Sequence, residues 1–253
     1  MNRPTLLALN QINRAFYRTV AADFSATRRS AWPGFARAAR HIEEALPGDT
    51  APQVLDVGCG NGRFADALLG ALDEPFAYLG VDASEALLAE PRARHAGRPG
   101  FRFVTHDFVL RGLGEVLDRE RFRVVLLLGM LHHVPGAATR ARLLGECVAH
   151  LAPGGLLVLT LWRFERLERL RRRIVPWEEI VRRGGPTLDP AQLEPGDHLL
   201  RFGPKEGPLR YCHAFAEEES RELLSGLPLE GVDDWLADGE TGDLNRWVLL
   251  RAV

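Results

Sequence analysis

Between residues 54 and 162, five short apolar runs alternate with amphipathic segments, and this alternation restricts the fold more than any other feature of the chain. VLDV, FAYLGVD, FRFVTHDF, RVVLLLGML and GLLVLTLW read as strands. RFADALLGAL, SEALLAEPRARHA, the short GLGEVLDRE and AATRARLLGECVAHL read as helices, the last with Leu144, Cys147, Val148 and Leu151 on one stripe. Strands apolar on both sides need cover on both faces of a sheet, and helical crossovers make neighbouring strands parallel. Upstream, WPGFARAARHIEEAL places Phe35, Ala38, Ala39, Ile42, Ala45 and Leu46 on one helical face before PGDTAP breaks it. Downstream, AEEESRELLSGL reads as a helix with acids in its first turn, where the dipole favours them. LEGVDDWLAD and NRWVLLRAV, joined by GETGD, read as an antiparallel hairpin at the sheet edge.

The expected fold class is α/β, as a single domain over residues 1–253 with an N-terminal helical segment over 1–46. Residues 163–210 break the rhythm. They are rich in arginine, proline and glycine and contain no convincing strand, so they read as a lid or substrate insertion.

A formal charge of −2 argues against a uniformly basic surface that coats nucleic acid. Nearly all the positive charge is arginine, Lys205 being the only lysine. Cys59, Cys147 and Cys212 are too few and too scattered for a disulfide framework or a zinc cluster, so no metal is expected. The opening MNRPTLLALNQINRAFYRTV has no long apolar core or small-residue cleavage site, and no apolar run is long enough to cross a membrane. The expectation is a soluble, cytoplasmic protein without a membrane partner.

In VLDVGCGNGRF, Gly58, Gly60 and Gly62 stand between the first strand and the next helix. Alternating glycines there allow a tight turn, close approach of main chain to a ligand and helix N–H groups aimed at it. The dinucleotide fingerprint G-x-G-x-x-G serves the same need, but here the third glycine comes one residue early, which disfavours a dehydrogenase. Asp82 ends the second strand, placed to accept from a ribose diol, or alternatively to cap the helix after it with Ser84. Asp107 and Phe108 end the third strand, where a carboxylate could accept from an adenine amino group.

Asp-Val-Gly-Cys-Gly-Asn-Gly, with Asp82 and Asp107 downstream, resembles the class I S-adenosylmethionine (SAM) dependent methyltransferases. The resemblance covers residues 54–162 and resumes near 215–253. It implies a Rossmann-like sandwich with a seven-stranded, mostly parallel sheet and an antiparallel last strand. It also implies SAM as cofactor, S-adenosylhomocysteine as product, and a binding set of Asp56, Gly58, Cys59, Gly60, Gly62, Asp82, Ala83, Asp107, Phe108 and Gly129. Cys59 reads as a small filler beside the turn.

DFSATRRSAWP, NGRF, LHHV, TLWRFE, IVPW, RYCHAF and NRWVLL occur in that order and together resemble the tRNA wobble-uridine 5-carboxymethyl methyltransferases of eukaryotes. That likeness implies methyl esterification of a carboxymethyl group on tRNA. Many eukaryotic members of that family also need a small activator protein that binds zinc; DNA is not an expected partner. The chain departs from the pattern at Tyr211-Cys212 and Arg246-Trp247, where the family has paired aromatics.

Arg28 and Arg210 are the candidates to hold the acceptor carboxylate, Arg28 alternatively the methionine carboxylate of SAM. His132, after the fourth strand, is the candidate to face the transferred methyl, with His133 pointing elsewhere. Trp32, Trp162, Trp177 and Tyr211 are candidates to stack on a base or wall the pocket, whereas Trp235, Trp247 and His213 read as packing residues. Residues 162–183 carry eight arginines against four glutamates and read as a basic helix for RNA phosphates, unless pairs such as Glu165–Arg169 neutralise it. Two further readings remain open: a methyltransferase acting on a small carboxylate, and a catalytically silent SAM-binding partner protein.

Overall fold

The computed structural model describes residues 1–28, 30–45, 53–73 and 75–253. In chain order its elements are α1 (Arg3–Ala26), α2 (Phe35–Ala45), β1 (Gln53–Val57), α3 (Arg63–Ala71), β2 (Ala77–Asp82), α4 (Glu85–Arg94) and β3 (Phe101–Thr105). There follow α5 (Gly114–Leu117), β4 (Phe122–Leu127), α6 (Ala137–Ala149), β5 (Leu151–Trp162), α7 (Glu168–Arg171), β6 (Ile174–Val175), α8 (Glu178–Arg182) and β7 (Asp197–Arg201). β8 (Leu209–His213), α9 (Glu217–Ser225), β9 (Leu229–Ala237) and β10 (Asn245–Ala252) complete the chain. Leu46 and the PGDTAP break lie outside the described residues.

The main sheet has seven strands in the order β3-β2-β1-β4-β5-β10-β9. The first five are parallel, and β10 runs antiparallel to both neighbours, so the final hairpin closes the edge as its sequence suggests. Leu55, Val57, Val125, Leu127, Leu157 and Leu159 point to the face covered by α6 and α9. Val54, Val124, Leu126, Leu156 and Val158 point to the face covered by α2 and α3, so the central strands are apolar on both sides because neither face meets water there. Leu151, read from its spacing as a helix residue, is instead the first residue of β5.

The insertion is not strandless. β6, β7 and β8 form a separate antiparallel sheet that carries residues of the 163–210 segment. Its pattern escapes detection because β6 is two residues long and β7 is interrupted by charged and histidine side chains. The expected basic helix is likewise two short helices, α7 and α8, with β6 between them. Helix α1 packs on this small sheet through Leu9 and Ile12 against Leu199, Leu209 and Tyr211. His213 ties the sheet to the body, its two ring nitrogens 2.8 Å from Asp197 and from Glu219. Fully buried Arg140 reaches Glu194 and Glu219 from α6. Among the described residues, no helix is long and apolar enough to cross a membrane.

Two buried carboxylates hold the layers in register. Asp238, at φ 72°, accepts from Gly34 N–H at 2.8 Å, Asn245 Nδ2 at 2.7 Å and Trp247 Nε1 at 2.8 Å. Asp238→Ala would strand three buried donors and is expected to cost at least about 3 kcal/mol in urea unfolding, with Asp238→Asn costing less; a loss under about 1 kcal/mol for the alanine variant would refute the role. Asp56, wholly buried on β1, accepts from Tyr78 Oη at 2.5 Å, and its Oδ1 has no partner. Burial pushes its pKa from 3.8 up to about 7, the Tyr78 bond opposing. The folded chain therefore keeps a proton that the unfolded chain has released, and the associated stability is lost as pH rises through about 7. Asp56→Asn should gain stability relative to the native protein between about pH 4 and about pH 7 and hold that gain above, measured by urea unfolding; parallel stability curves would exclude this titration.

Candidate active site

Beyond Val57 the chain must turn into α3 by Arg63. Gly58, Gly60 and Gly62 achieve this at φ 80°, 53° and 72°, a left-handed region that penalises a Cβ. Packing reinforces two of them. A Cβ on Gly58 would meet Met130 at 2.6 Å, and one on Gly62 would meet Pro91 at 2.6 Å. At Gly60 the nearest atom would be Leu87 Cδ1 at 4.0 Å, so this glycine faces open space. The turn is a main-chain cradle with its middle residue bared.

Over it lies a cavity of about 650 Å³, a size suited to a nucleoside-sized ligand. Gly58, Cys59, Gly60, Asp82, Ala83, Phe108 and Gly129 line it, seven of the ten residues expected to bind cofactor. Asp82 accepts Gly60 N–H at 2.9 Å on one oxygen and Ser84 N–H at 2.8 Å on the other. Each oxygen retains acceptor capacity for a diol. Burial raises the Asp82 pKa, with those two N–H bonds opposing. Capping of α4 falls to Ser84, whose Oγ accepts from Leu87 N–H, which leaves Asp82 facing the cavity. Cys59 is buried, and burial holds its thiol well above its usual pKa, in keeping with a filler.

Three expected residues do not line the cavity. Asp56 lies beneath the turn with Tyr78, and Gly62 is the N-cap of α3 packed under Pro91. Asp107 is engaged elsewhere: its carboxylate accepts from Asn10 at 2.9 Å, Arg14 at 3.2 Å and the N–H groups of Val109 and Leu110. It fastens α1 over the cleft, a demand that spacing along β3 does not encode.

Helix α1 supplies the roof that the sequence reading missed. Asn10, Asn13, Arg14, Tyr17, Arg18 and Phe24 all line the cavity. The available signal was Asn10, Asn13 and Tyr17 at helical spacing beside the buried stripe Leu9, Ile12, Phe16 and Val20. Asn13 donates to the His133 carbonyl at 3.2 Å and accepts Tyr211 N–H at 2.8 Å, stitching three elements together.

The two histidines exchange their expected positions. His133 lines the cavity, while His132 is buried beneath it, 4.1 Å between ring centroids. The Tyr211 carbonyl can only accept, so His133 donates from Nδ1 at 2.9 Å and its Nε2 accepts from Tyr17 Oη at 2.8 Å. Burial and Arg210 lower the His133 pKa to about 3. Burial, His133, Arg210 and His213 lower that of His132 well below the usual range, so both rings are neutral. His132, His133 and Cys212 approach within 4.8 Å, but both His133 nitrogens are already engaged. His132 Nδ1 and Arg210 Nε are buried and without partners.

Arg210 lies 4.9 Å over Trp162, whose ring is tilted by 48° against His132 at a centroid distance of 4.8 Å, and 5.4 Å over Phe16. Arg28 sits 4.0 Å over Phe24 and 5.7 Å over Phe202. Burial, then the neighbouring Arg210, lower the Arg28 pKa. Arg63, not singled out from sequence, lines the cavity 4.3 Å over Trp32, its pKa lowered to about 10 by burial and then by Arg28. Among the described residues none of these three guanidiniums has a carboxylate within ion-pair distance. Mutually repelling cations without acids form a site that favours an anion. Of the stacking candidates, Trp162 is at the site and Trp32 packs against Gly129 and Arg63. Tyr211 is fully buried and donates to Asp197, and Trp177 packs in the small-sheet cluster, so neither meets a base there. Trp235 and Trp247 are buried and stacked on one another, and His213 is a buried packing residue.

Residues 55–157 match the family model described as a methyltransferase domain. The chain is 25% identical over 210 residues to the probable tRNA methyltransferase 9B of Bos taurus, covering 81% of this chain and 42% of that protein. It is 30% identical over 153 residues to the tRNA (carboxymethyluridine(34)-5-O)-methyltransferase ALKBH8 of Macaca fascicularis, covering 59% of this chain and 20% of that protein. The chain thus spans less than half the length of these curated relatives. A SAM-dependent methyltransferase from Methanosarcina mazei superposes with a TM-score of 0.63 at 18% identity, covering 88% of this chain and 99% of that one. Residues 55–157 thus match a methyltransferase domain, and the 3-2-1-4-5 parallel order closed by an antiparallel hairpin gives the chain the fold of the SAM-dependent methyltransferase on which it superposes.

Proposed function

We propose that the protein uses SAM to methylate a carboxylate on a modified wobble uridine of tRNA. The observation that carries this reading is the acceptor end: Arg28 and Arg210 without acidic partners, beside buried His132 with an unpartnered Nδ1. The relatives named for carboxymethyluridine and tRNA methylation support the choice of acceptor.

When bound, SAM would supply an electrophilic methyl group for in-line displacement by a carboxylate oxygen that is already ionised at neutral pH. No general base is needed, and neutral His132 and His133 suit that requirement. The bared Gly60 N–H region would cradle the amino-acid part of SAM, and Asp82 would accept from its ribose. Phe108 and Ala83 would flank the adenine. Arg210 would hold one oxygen of the acceptor carboxylate and leave the other free to react. Trp162 and Phe16 exclude water around Arg210, which strips the carboxylate of part of its hydration shell. Arg28 and Arg63 are placed for the second anion of the complex, the methionine carboxylate.

The surface offers RNA some free charge. Glu168 pairs with both Arg171 and Arg172, and Glu179 with both Arg182 and Arg183, so each trio keeps one net positive charge, while Glu165 pairs with His198 and not with Arg169. Among the described residues, Arg169 and Arg173 have no acidic partner and would meet phosphates.

Asp82→Ala should weaken binding of SAM or S-adenosylhomocysteine by about 10-fold or more in calorimetry. Heat with a nicotinamide nucleotide and none with either SAM species would sink the cofactor reading. With tRNA carrying 5-carboxymethyluridine, labelled methyl should enter an alkali-labile ester, and Arg210→Ala should cut kcat/KM by about 10- to 100-fold while SAM affinity holds. Absence of ester despite tight SAM binding would remove the tRNA acceptor; turnover of small carboxylates that bulk tRNA does not inhibit would replace it.

A further inference from the structure

Trp162 has a second neighbour besides the acceptor end. Its indole also lines a separate cavity of about 340 Å³ at the carboxyl edge of the sheet, bounded by the end of β5, the start of α9 and the β9–β10 hairpin. Half-buried Phe215 faces the same space, and Leu236, 49% exposed, stands at its rim. Arg210, the candidate for the acceptor carboxylate, lies 4.9 Å over this same Trp162 ring, which links the acceptor end to the second cavity.

We propose that this second cavity is a nucleobase subsite, receiving the base next to the one that carries the methylated carboxylate; the inference rests on the tRNA reading above. Its chemistry selects a neutral planar ring with polar edges. Trp162 and Phe215 offer aromatic surface, and base stacking on such side chains tolerates any base. The charges around them are largely cancelled: Arg246 is held by Asp234 at 2.5 Å and by Ser220 Oγ at 3.3 Å. Arg163 donates to the Asp243 carbonyl at 3.1 Å, and Glu165 pairs with His198. The lining carries three arginines, Arg163, Arg166 and Arg246, against three acids, Glu165, Glu217 and Asp234, so it presents donors and acceptors with little net charge, which suits the edges of a base better than a phosphate. Exposed Arg166 lies at the same cavity and, among the described residues, has no acidic partner, so it is free for the backbone that joins the two nucleotides. Single-stranded loops are read by splaying successive bases into neighbouring pockets, and the contact of Trp162 with Arg210 sets this cavity next to the acceptor end.

The test uses the full chain and an anticodon hairpin containing 5-carboxymethyluridine, with 2-aminopurine placed on one side or the other of it. Stacking in the cavity should quench fluorescence for one of the two placements. The exposed substitutions Leu236→Asp and Arg166→Ala should each relieve that quenching and raise the hairpin KM by about 10-fold, with kcat, SAM affinity and melting temperature unmoved. Phe215→Ala should act in the same direction where it folds. Ester formation with no quenching at either placement, or an unchanged KM in both exposed variants, overturns the subsite and leaves the acceptor assignment standing. A hairpin that neither binds nor is methylated by a SAM-binding protein overturns both.

Discussion

The hydrogen bond from Gly60 N–H to Asp82 is the contact on which the site depends. It joins the first crossover to the end of the second strand, so the cradle and the carboxylate that borders it are set by one interaction. The turn can make it because three glycines accept left-handed φ values in succession, and because Met130 and Pro91 occupy the space their side chains would need. The sheet order does the rest. Parallel β1, β2 and β4 bring their carboxyl ends to one edge, where the dipoles and N–H groups of the following helices also point.

On that edge, burial and hydrogen bonding divide the polar groups into two kinds. Asp107, Asn13, His133 and Tyr17 are satisfied by one another or by main chain, and they position α1 as a roof. Among the described residues, Arg28, Arg63 and Arg210 have no acidic partner, and the Nδ1 of His132 has no hydrogen-bond partner. Burying cations near each other without acids is unfavourable for the protein alone, so such a cluster is most stable with anions in it. An acceptor carboxylate and a cofactor carboxylate are two anions of the right kind.

Much of the main fold was legible before any coordinates. β1 to β5 announce themselves as continuous apolar runs, and β9 and β10 as two runs around GETGD. The small sheet was not legible, because β6 has two residues and β7 carries Asp197 and His198 in its first positions. Nor could sequence separate His132 from His133: adjacent residues in a short helical turn point apart, and only Tyr17 and the Tyr211 carbonyl decide which ring borders the cavity. Asp107 shows the same limit, since its strand-end position suits adenine but its partners come from α1, almost a hundred residues earlier in the chain.

From sequence alone, the class of fold and the glycine turn are determined, because each depends on local periodicity or backbone freedom, whereas Asp82, Arg28 and Arg210 come forward only as candidates. The tertiary structure alone decides that α1 covers the cleft, that Arg63 joins the arginine cluster, and that Trp162 meets Arg210 while lining a second cavity. Those facts depend on side chains from distant elements meeting at the sheet edge, and the free energy of such meetings lies in burial and partner choice, which no local pattern records.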